Sequence, residues 1–176
     1  MIENLVLVDE NDKSLGLEEK WNCHKGQGRL HRAFSLWIFR TDGKVLLQQR
    51  SKQKLLWPEY WSNSCCSHPR ENESYENATI RRTQEELGLI IEPKLLTKFQ
   101  YQSNYAPNGK LIGSENEVCA LLYAMTNKNP TPNPEEIKLT KYLNIQEIIE
   151  QVGLHPELYT PWFKIELKEI QKYKIK

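Results

Sequence analysis

A chain of 176 residues with 24 lysines and arginines against 23 aspartates and glutamates has no global field to draw it to nucleic acid or a membrane surface. That length suits one compact domain over 1–176 with a sizeable core. Its longest apolar runs, such as 118–125, are far too short to cross a bilayer, and Met1-Ile2-Glu3-Asn4 lacks the basic-then-apolar pattern of a secretory signal.

Residues 5–8 read as a first strand, ended by a turn over 9–13, and residues 17–21 as a short helical turn. Two β-rich runs follow at 33–39 and 45–49. Thr41-Asp42-Gly43-Lys44 between them is a hairpin signal. Trp57-Pro58-Glu59-Tyr60-Trp61 forms an aromatic loop, and the polar stretch 70–74 leads into a helix over 75–87 that Gly88 stops. Residues 95–101 read as a strand, 105–113 as a long loop, and 117–125 as the clearest strand of all. After a Pro/Asn connection at 127–134 come a short helix at 145–152 and a C-terminal helix that Thr160-Pro161 opens as N-cap and N1. Interleaved strands and helices without repeats point to an α/β (α+β) sandwich.

Two pairs carry the chemistry. Cys66 and His68 are two residues apart, as are Glu115 and Glu117. In an extended strand each pair shares a face. A thiol, an imidazole and two carboxylates facing one cavity are costly to bury unless they hold a metal or exchange protons. Cys65 points the other way and, with Cys23 and Cys119, reads as a packing residue in a reduced, cytoplasmic protein. His155 reads as an ordinary loop residue.

On the helix over 75–87, Arg81 and Glu85 are four apart, as are Arg82 and Glu86, the spacing of surface ion pairs. The same residues, with Glu73, Gly88 and Leu89, resemble the Nudix box. Two positions depart from it: Ser67 stands where the box has glycine, and Arg82 where it has the first glutamate. The resemblance implies a Nudix-like α/β/α sandwich around a mixed sheet. A cation at Arg82 favours holding a diphosphate and weakens the case for hydrolysis.

The further motifs Arg29-Leu30-His31-Arg32-Ala33-Phe34, Trp57-Pro58 and Trp61-Ser62-Asn63-Ser64 join Cys-x-His-Pro at 66–69 and Glu-Asn-Glu at 115–117. Together they closely resemble the type 1 isopentenyl-diphosphate Δ-isomerases, over nearly the whole chain. That resemblance implies an enzyme transposing a C=C bond in a small prenyl diphosphate, with Cys66 and Glu117 on opposite faces of a dry pocket. It gives Tyr101 the role of helping Glu117 and Trp162 that of facing a carbocation-like state. It implies His24, His31, His68, Glu115 and Glu117 as metal ligands, a donor set that suits Mn²⁺ or Zn²⁺. Mg²⁺ is expected with the diphosphate, held by Glu86. Lys20, Arg50 and Lys54 are expected to grip phosphate oxygens, with Ser67 and Arg82 as lesser contributors. The protein is expected to act as a monomer or weak dimer, with neither nucleic acid nor membrane as partner. The competing expectations are a Nudix hydrolase of nucleoside or prenyl diphosphates and a non-catalytic metal-binding scaffold.

Overall fold

The computed structural model describes residues 3–173 and 175. Met1, Ile2, Lys174 and Lys176, within the expected 1–176 domain, lie outside the described residues. Among the described residues, nine strands join one mixed sheet. Strands β1 (Asn4–Val8), β2 (Ser14–Glu19), β3 (His31–Phe39), β4 (Val45–Arg50) and β5 (Trp61–Ser62) run in the order β2-β1-β3-β4-β5. Along one edge of β3 pairs the short β6 (Cys65–Ser67), antiparallel. Along the other runs β8 (Gly113–Met125), parallel and residue for residue from His31↔Glu117 to Phe39↔Met125. Outside β8 lies β7 (Lys94–Tyr105), and β9 (Ile137–Leu143) covers β4.

Strand alternation sorts the side chains onto two faces. Phe34, Leu36, Ile38, Leu46, Cys65, Ala120 and Leu122 form one core. Helix α2 (Tyr75–Leu87) packs on it through Tyr75, Ala78 and Leu87. Trp37, Phe39, Val45, Leu47 and Leu121 form the other, under α3 (Ile145–Leu154) and α4 (Pro161–Ile170). This is the expected sandwich. Helix α2 has the expected bounds because both ends are marked: Ser74 Oγ accepts from Asn77 N at 3.1 Å, and Gly88 adopts φ +64°.

Four readings of the sequence need correction. Residues 17–21 do not form a helical turn: 14–19 is the edge strand β2, and the short helix α1 (Lys20–His24) follows it. Leu15 and Leu17 are exposed on β2, so no buried face revealed it. Strand β9 was hidden likewise, with Leu139 exposed beyond the long connection. Strands β7 and β8 extend to Tyr105 and from Gly113, shortening the expected loop, and Trp61 of the aromatic loop belongs to β5. Thr160 does stand before Pro161 at the start of α4, but its hydroxyl makes no cap. It lies 3.1 Å from Ser62 Oγ instead.

Gly113 opens β8 where the chain runs against α1. A Cβ there would sit 2.7 Å from the His24 carbonyl oxygen and 3.1 Å from Leu56 Cδ2. Gly113→Ala is therefore expected to displace the end of α1, at a cost of about 1–3 kcal/mol. Thermal unfolding measures that loss, and metal titration should show weaker uptake because His24 moves with the helix.

Candidate active site and metal centre

The register of three strands builds the centre. Glu117 on β8 stands opposite His31 on β3 and opposite Tyr101 on β7. All three side chains share a face, so contact follows. Glu117 Oε1 lies 3.5 Å from His31 Nε2 and 3.2 Å from His68 Nε2, while Oε2 accepts from the Tyr101 hydroxyl at 2.7 Å. Glu115, two residues earlier, reaches His24 Nε2 at 2.9 Å. The candidate ligand atoms of His24, His31, His68, Glu115 and Glu117 all lie within 4.8 Å of one another.

The donor set fits a divalent ion. Nδ1 of His24 lies 2.7 Å from the Lys20 carbonyl, and that of His31 2.7 Å from the Arg29 carbonyl. A proton on each Nδ1 leaves each Nε2 for a ligand bond. His31 Nε2, His68 Nδ1 and Glu115 Oε2 are buried without an aligned hydrogen-bond partner, so the cluster does not satisfy itself. Burial, with His31, Lys20 and His24 nearby, holds the His68 imidazole well below its usual range, hence neutral. Burial also pulls His24 down, but Glu115 and the Lys20 carbonyl outweigh it and lift that imidazole to about 9. A protonated His24 must lose its proton to ligate. Mn²⁺ uptake at neutral pH is therefore expected to release about one proton, with affinity rising as pH climbs toward 9. Calorimetry in buffers of different ionisation enthalpy measures that count.

The centre opens on a cavity of about 380 Å³ that gathers nearly every residue singled out in the sequence. Cys66, Tyr101, Glu117 and Trp162 line it, as do Lys20, Arg50, Lys54, Ser67 and Arg82. His31 stands fully buried behind this wall. Glu86 is buried too, outside the His/Glu cluster, and Arg82 holds it together with Glu85 and Glu136. Cys66 faces the cavity while Cys65 is enclosed under α2, as alternation requires.

The cations are not equivalent. Lys20 pairs with Glu3 at 2.8 Å, and Lys54 with Glu136. Glu136, flanked by Lys54 and Arg82, is held at about 2 in spite of partial burial. Arg50 instead donates to the Leu56 and Trp57 carbonyls at 2.9 and 3.0 Å, with its guanidinium 5.2 Å from the Trp162 ring centre. Among the described residues no carboxylate pairs with it.

Sequence reasoning missed the polar network behind the thiol. Cys66 Sγ donates to Asn63 Oδ1 at 2.7 Å and lies 3.4 Å from Ser35 Oγ. The Asn63 amide donates to the Leu36 and Cys65 carbonyls, which turns its oxygen toward Cys66. Ser62 Oγ donates to that oxygen at 2.9 Å and accepts from Trp162 Nε1 at 3.0 Å. Thiol and indole are thus linked through two polar residues of the Trp61-Ser62-Asn63-Ser64 motif. Glu136, in the turn just before β9, was also missed, since nothing beside it in the sequence marks its two cation partners.

A NUDIX domain match spans residues 29–163. The MutT NUDIX hydrolase of Burkholderia pseudomallei superposes with a TM-score of 0.63 at 21% identity, covering 81% of this chain and 98% of that one, which establishes the shared fold. The chain is 46% identical over 171 residues to isopentenyl-diphosphate Delta-isomerase 1 of Photorhabdus laumondii, covering 96% of this chain and 95% of the relative. It is 38% identical to isopentenyl-diphosphate Delta-isomerase 1 of Mus musculus, over 94% of this chain and 81% of that protein. Within the NUDIX-domain proteins, this chain belongs to the isopentenyl-diphosphate Delta-isomerase family.

Proposed function

We propose that this protein interconverts isopentenyl and dimethylallyl diphosphate, adding a proton to the alkene and removing one from the neighbouring carbon through a tertiary carbocation-like state. The observation that carries this reading is a single cavity holding a protonated thiol, an ionised carboxylate and an indole beside a cluster of cations. Burial pushes the Cys66 thiol up, so it keeps its hydrogen. Burial pushes Glu117 up as well, but the nearby His31, the hydrogen bond from the Tyr101 hydroxyl and the charge of His24 outweigh it and hold it below the usual carboxylate range. Burial beside Glu117 keeps the Tyr101 phenol protonated, a fixed donor to that carboxylate. One group thus holds a proton while the other has room for one, which an isomerisation without net proton change requires. Each serves as donor in one direction and acceptor in the other.

Trp162 supplies the electron-rich face for the cationic state, worth ~2 kcal/mol when desolvated. Arg50, which pairs with no carboxylate among the described residues, takes the diphosphate first. Lys20 and Lys54 follow by exchanging Glu3 and Glu136 for phosphate oxygens, with Ser67 and Arg82 at the margin. His24, His31, His68, Glu115 and Glu117 would hold Mn²⁺ or Zn²⁺, and Glu86 would face Mg²⁺ carried by the diphosphate. A bound ion supplies fixed positive charge that orients Glu117 and tunes its basicity.

Proton NMR of isopentenyl diphosphate incubated with the protein, Mg²⁺ and Mn²⁺ in D₂O tests the reading. Deuterated allylic product without inorganic phosphate is expected. Phosphate release would move the protein to the hydrolases.

A further inference from the structure

Three polar side chains behind the reacting thiol are fully buried: Ser62 at the end of β5, Asn63 in the turn that follows, and Thr160 just before α4. Buried polar groups need partners, and each hydrogen in this cluster can be assigned by counting. The Asn63 amide gives both its hydrogens to backbone, to the Leu36 and Cys65 carbonyls at 3.1 Å each. Its Oδ1 is left as a pure acceptor. That oxygen takes the single Cys66 hydrogen at 2.7 Å and the single Ser62 hydroxyl hydrogen at 2.9 Å.

Two further contacts then acquire a direction. Ser62 has no hydrogen left, so Thr160 donates to it at 3.1 Å, alongside the Trp162 indole at 3.0 Å. Cys66 has none left either, so the Ser35 hydroxyl donates to its sulfur at 3.4 Å. Ser35 has that hydrogen to give, because its own oxygen accepts from Cys119 Sγ at 3.6 Å. The thiol hydrogen therefore points into the wall, while the Cys66 side chain borders the cavity. Donation to an alkene requires that hydrogen to leave Asn63.

We propose that Asn63 and Ser62 are positioning residues for Cys66: Asn63 Oδ1 holds the thiol hydrogen until substrate fills the cavity, and Ser62 keeps that oxygen bonded when the hydrogen leaves. A buried acceptor stripped of its only donor is costly, and the cost would add to the barrier. With the Ser62 hydroxyl in place, Oδ1 is never bare. The hydrogen swings about the Cβ–Sγ bond toward the alkene. On transfer the S–H electron pair stays on sulfur and the alkene π pair forms the new C–H bond. The Ser35 hydroxyl is already aimed at the sulfur that then carries the charge. Through Ser62 the same oxygen is tied to the edge of the Trp162 indole, so the thiol that creates the cation and the ring that faces it share one anchor.

Among the described residues neither Lys20, Arg50 nor Lys54 hydrogen-bonds to this cluster, so its disturbance should appear in kcat and leave KM in place. The effect on turnover rests on the isomerase reading; the place of the thiol hydrogen does not. Infrared spectra of the full chain loaded with Zn²⁺ read that place directly, because an S–H stretch falls in frequency as its hydrogen bond strengthens. The Cys66 band is identified by its loss in C66A. In Ser62→Ala the thiol becomes the only donor to Oδ1, so the band should move to lower frequency. In Asn63→Ala the acceptor is gone, and the band should move the opposite way. The Trp162 indole N–H proton resonance, identified by its loss in W162F, should move upfield in S62A as it loses its acceptor.

Turnover of isopentenyl diphosphate in S62A should show kcat lowered about 10-fold with KM within about twofold of the wild type. Asn63→Ala also removes two bonds that shape its turn. Should it fail to fold, S62A decides alone, since it keeps both of those bonds. An S–H band that stays fixed or rises in S62A overturns the proposal, as does an unchanged kcat in that variant. The expected band shifts in a protein whose wild type turns over no isopentenyl diphosphate would overturn the isomerase reading and leave the hydrogen on Asn63.

Discussion

Cys66→Ala is expected to lower turnover by about 10³-fold or more while the protein remains folded. The substitution removes the atom that donates to Asn63 and stands 3.4 Å from Ser35, at a site already open to the cavity. Little packing is lost there, so melting should move only slightly. Its neighbour supplies the contrast. Cys65 is fully buried against α2, so Cys65→Ala should lower stability by about 1–2 kcal/mol and leave turnover nearly intact. Parallel assays and melting curves on the two variants read out the alternation of β6 directly. A Cys66→Ala protein with robust turnover would sink the proposed role of the thiol.

Glu117→Gln should be as damaging for a different reason. The amide keeps the volume and can still accept from Tyr101, but it can neither take up a proton nor balance the charge of an ion beside His31 and His68. A loss of about 10³-fold in turnover is expected, which excess Mn²⁺ does not restore. Glu115→Gln should behave otherwise: metal uptake weakens by about 10-fold or more, and saturating Mn²⁺ recovers most of the activity. Titrating activity against Mn²⁺ in both variants separates the group that only ligates from the one that also handles the proton. Full rescue of Glu117→Gln by metal would assign both carboxylates to ligation alone.

The legible parts of the sequence were those with local punctuation or a short period. Helix α2 could be bounded because Ser74 and Gly88 mark its ends, and the two wall pairs could be read because i and i+2 share a strand face. Edge strands β2 and β9 escaped because Leu15, Leu17 and Leu139 face solvent, so neither shows the buried alternation that identifies a strand. Thr160 was misread for a related reason. A threonine before proline predicts a cap, yet this hydroxyl finds a better partner in Ser62, far away in sequence. Ser35 and Glu136 were beyond local reading altogether, because their partners come from distant stretches of the chain and only the folded structure brings them together.

The parallel pairing of β3 with β8 also governs when the centre can come into being. The hairpin of β3 and β4 can close early, since only a short turn, bonded between Arg40 and Lys44, separates the two strands. His31, however, meets Glu117 only after the intervening half of the chain has been threaded and a non-local parallel ladder laid down, a slow, high-contact-order step. Until then the three histidines have no carboxylates and the thiol has no counterpart. A metal ion can therefore stabilise the finished sheet but has little to hold during its assembly. A nascent chain that has not yet released β8 from the ribosome carries the cysteine and the histidines of the centre, but not its chemistry.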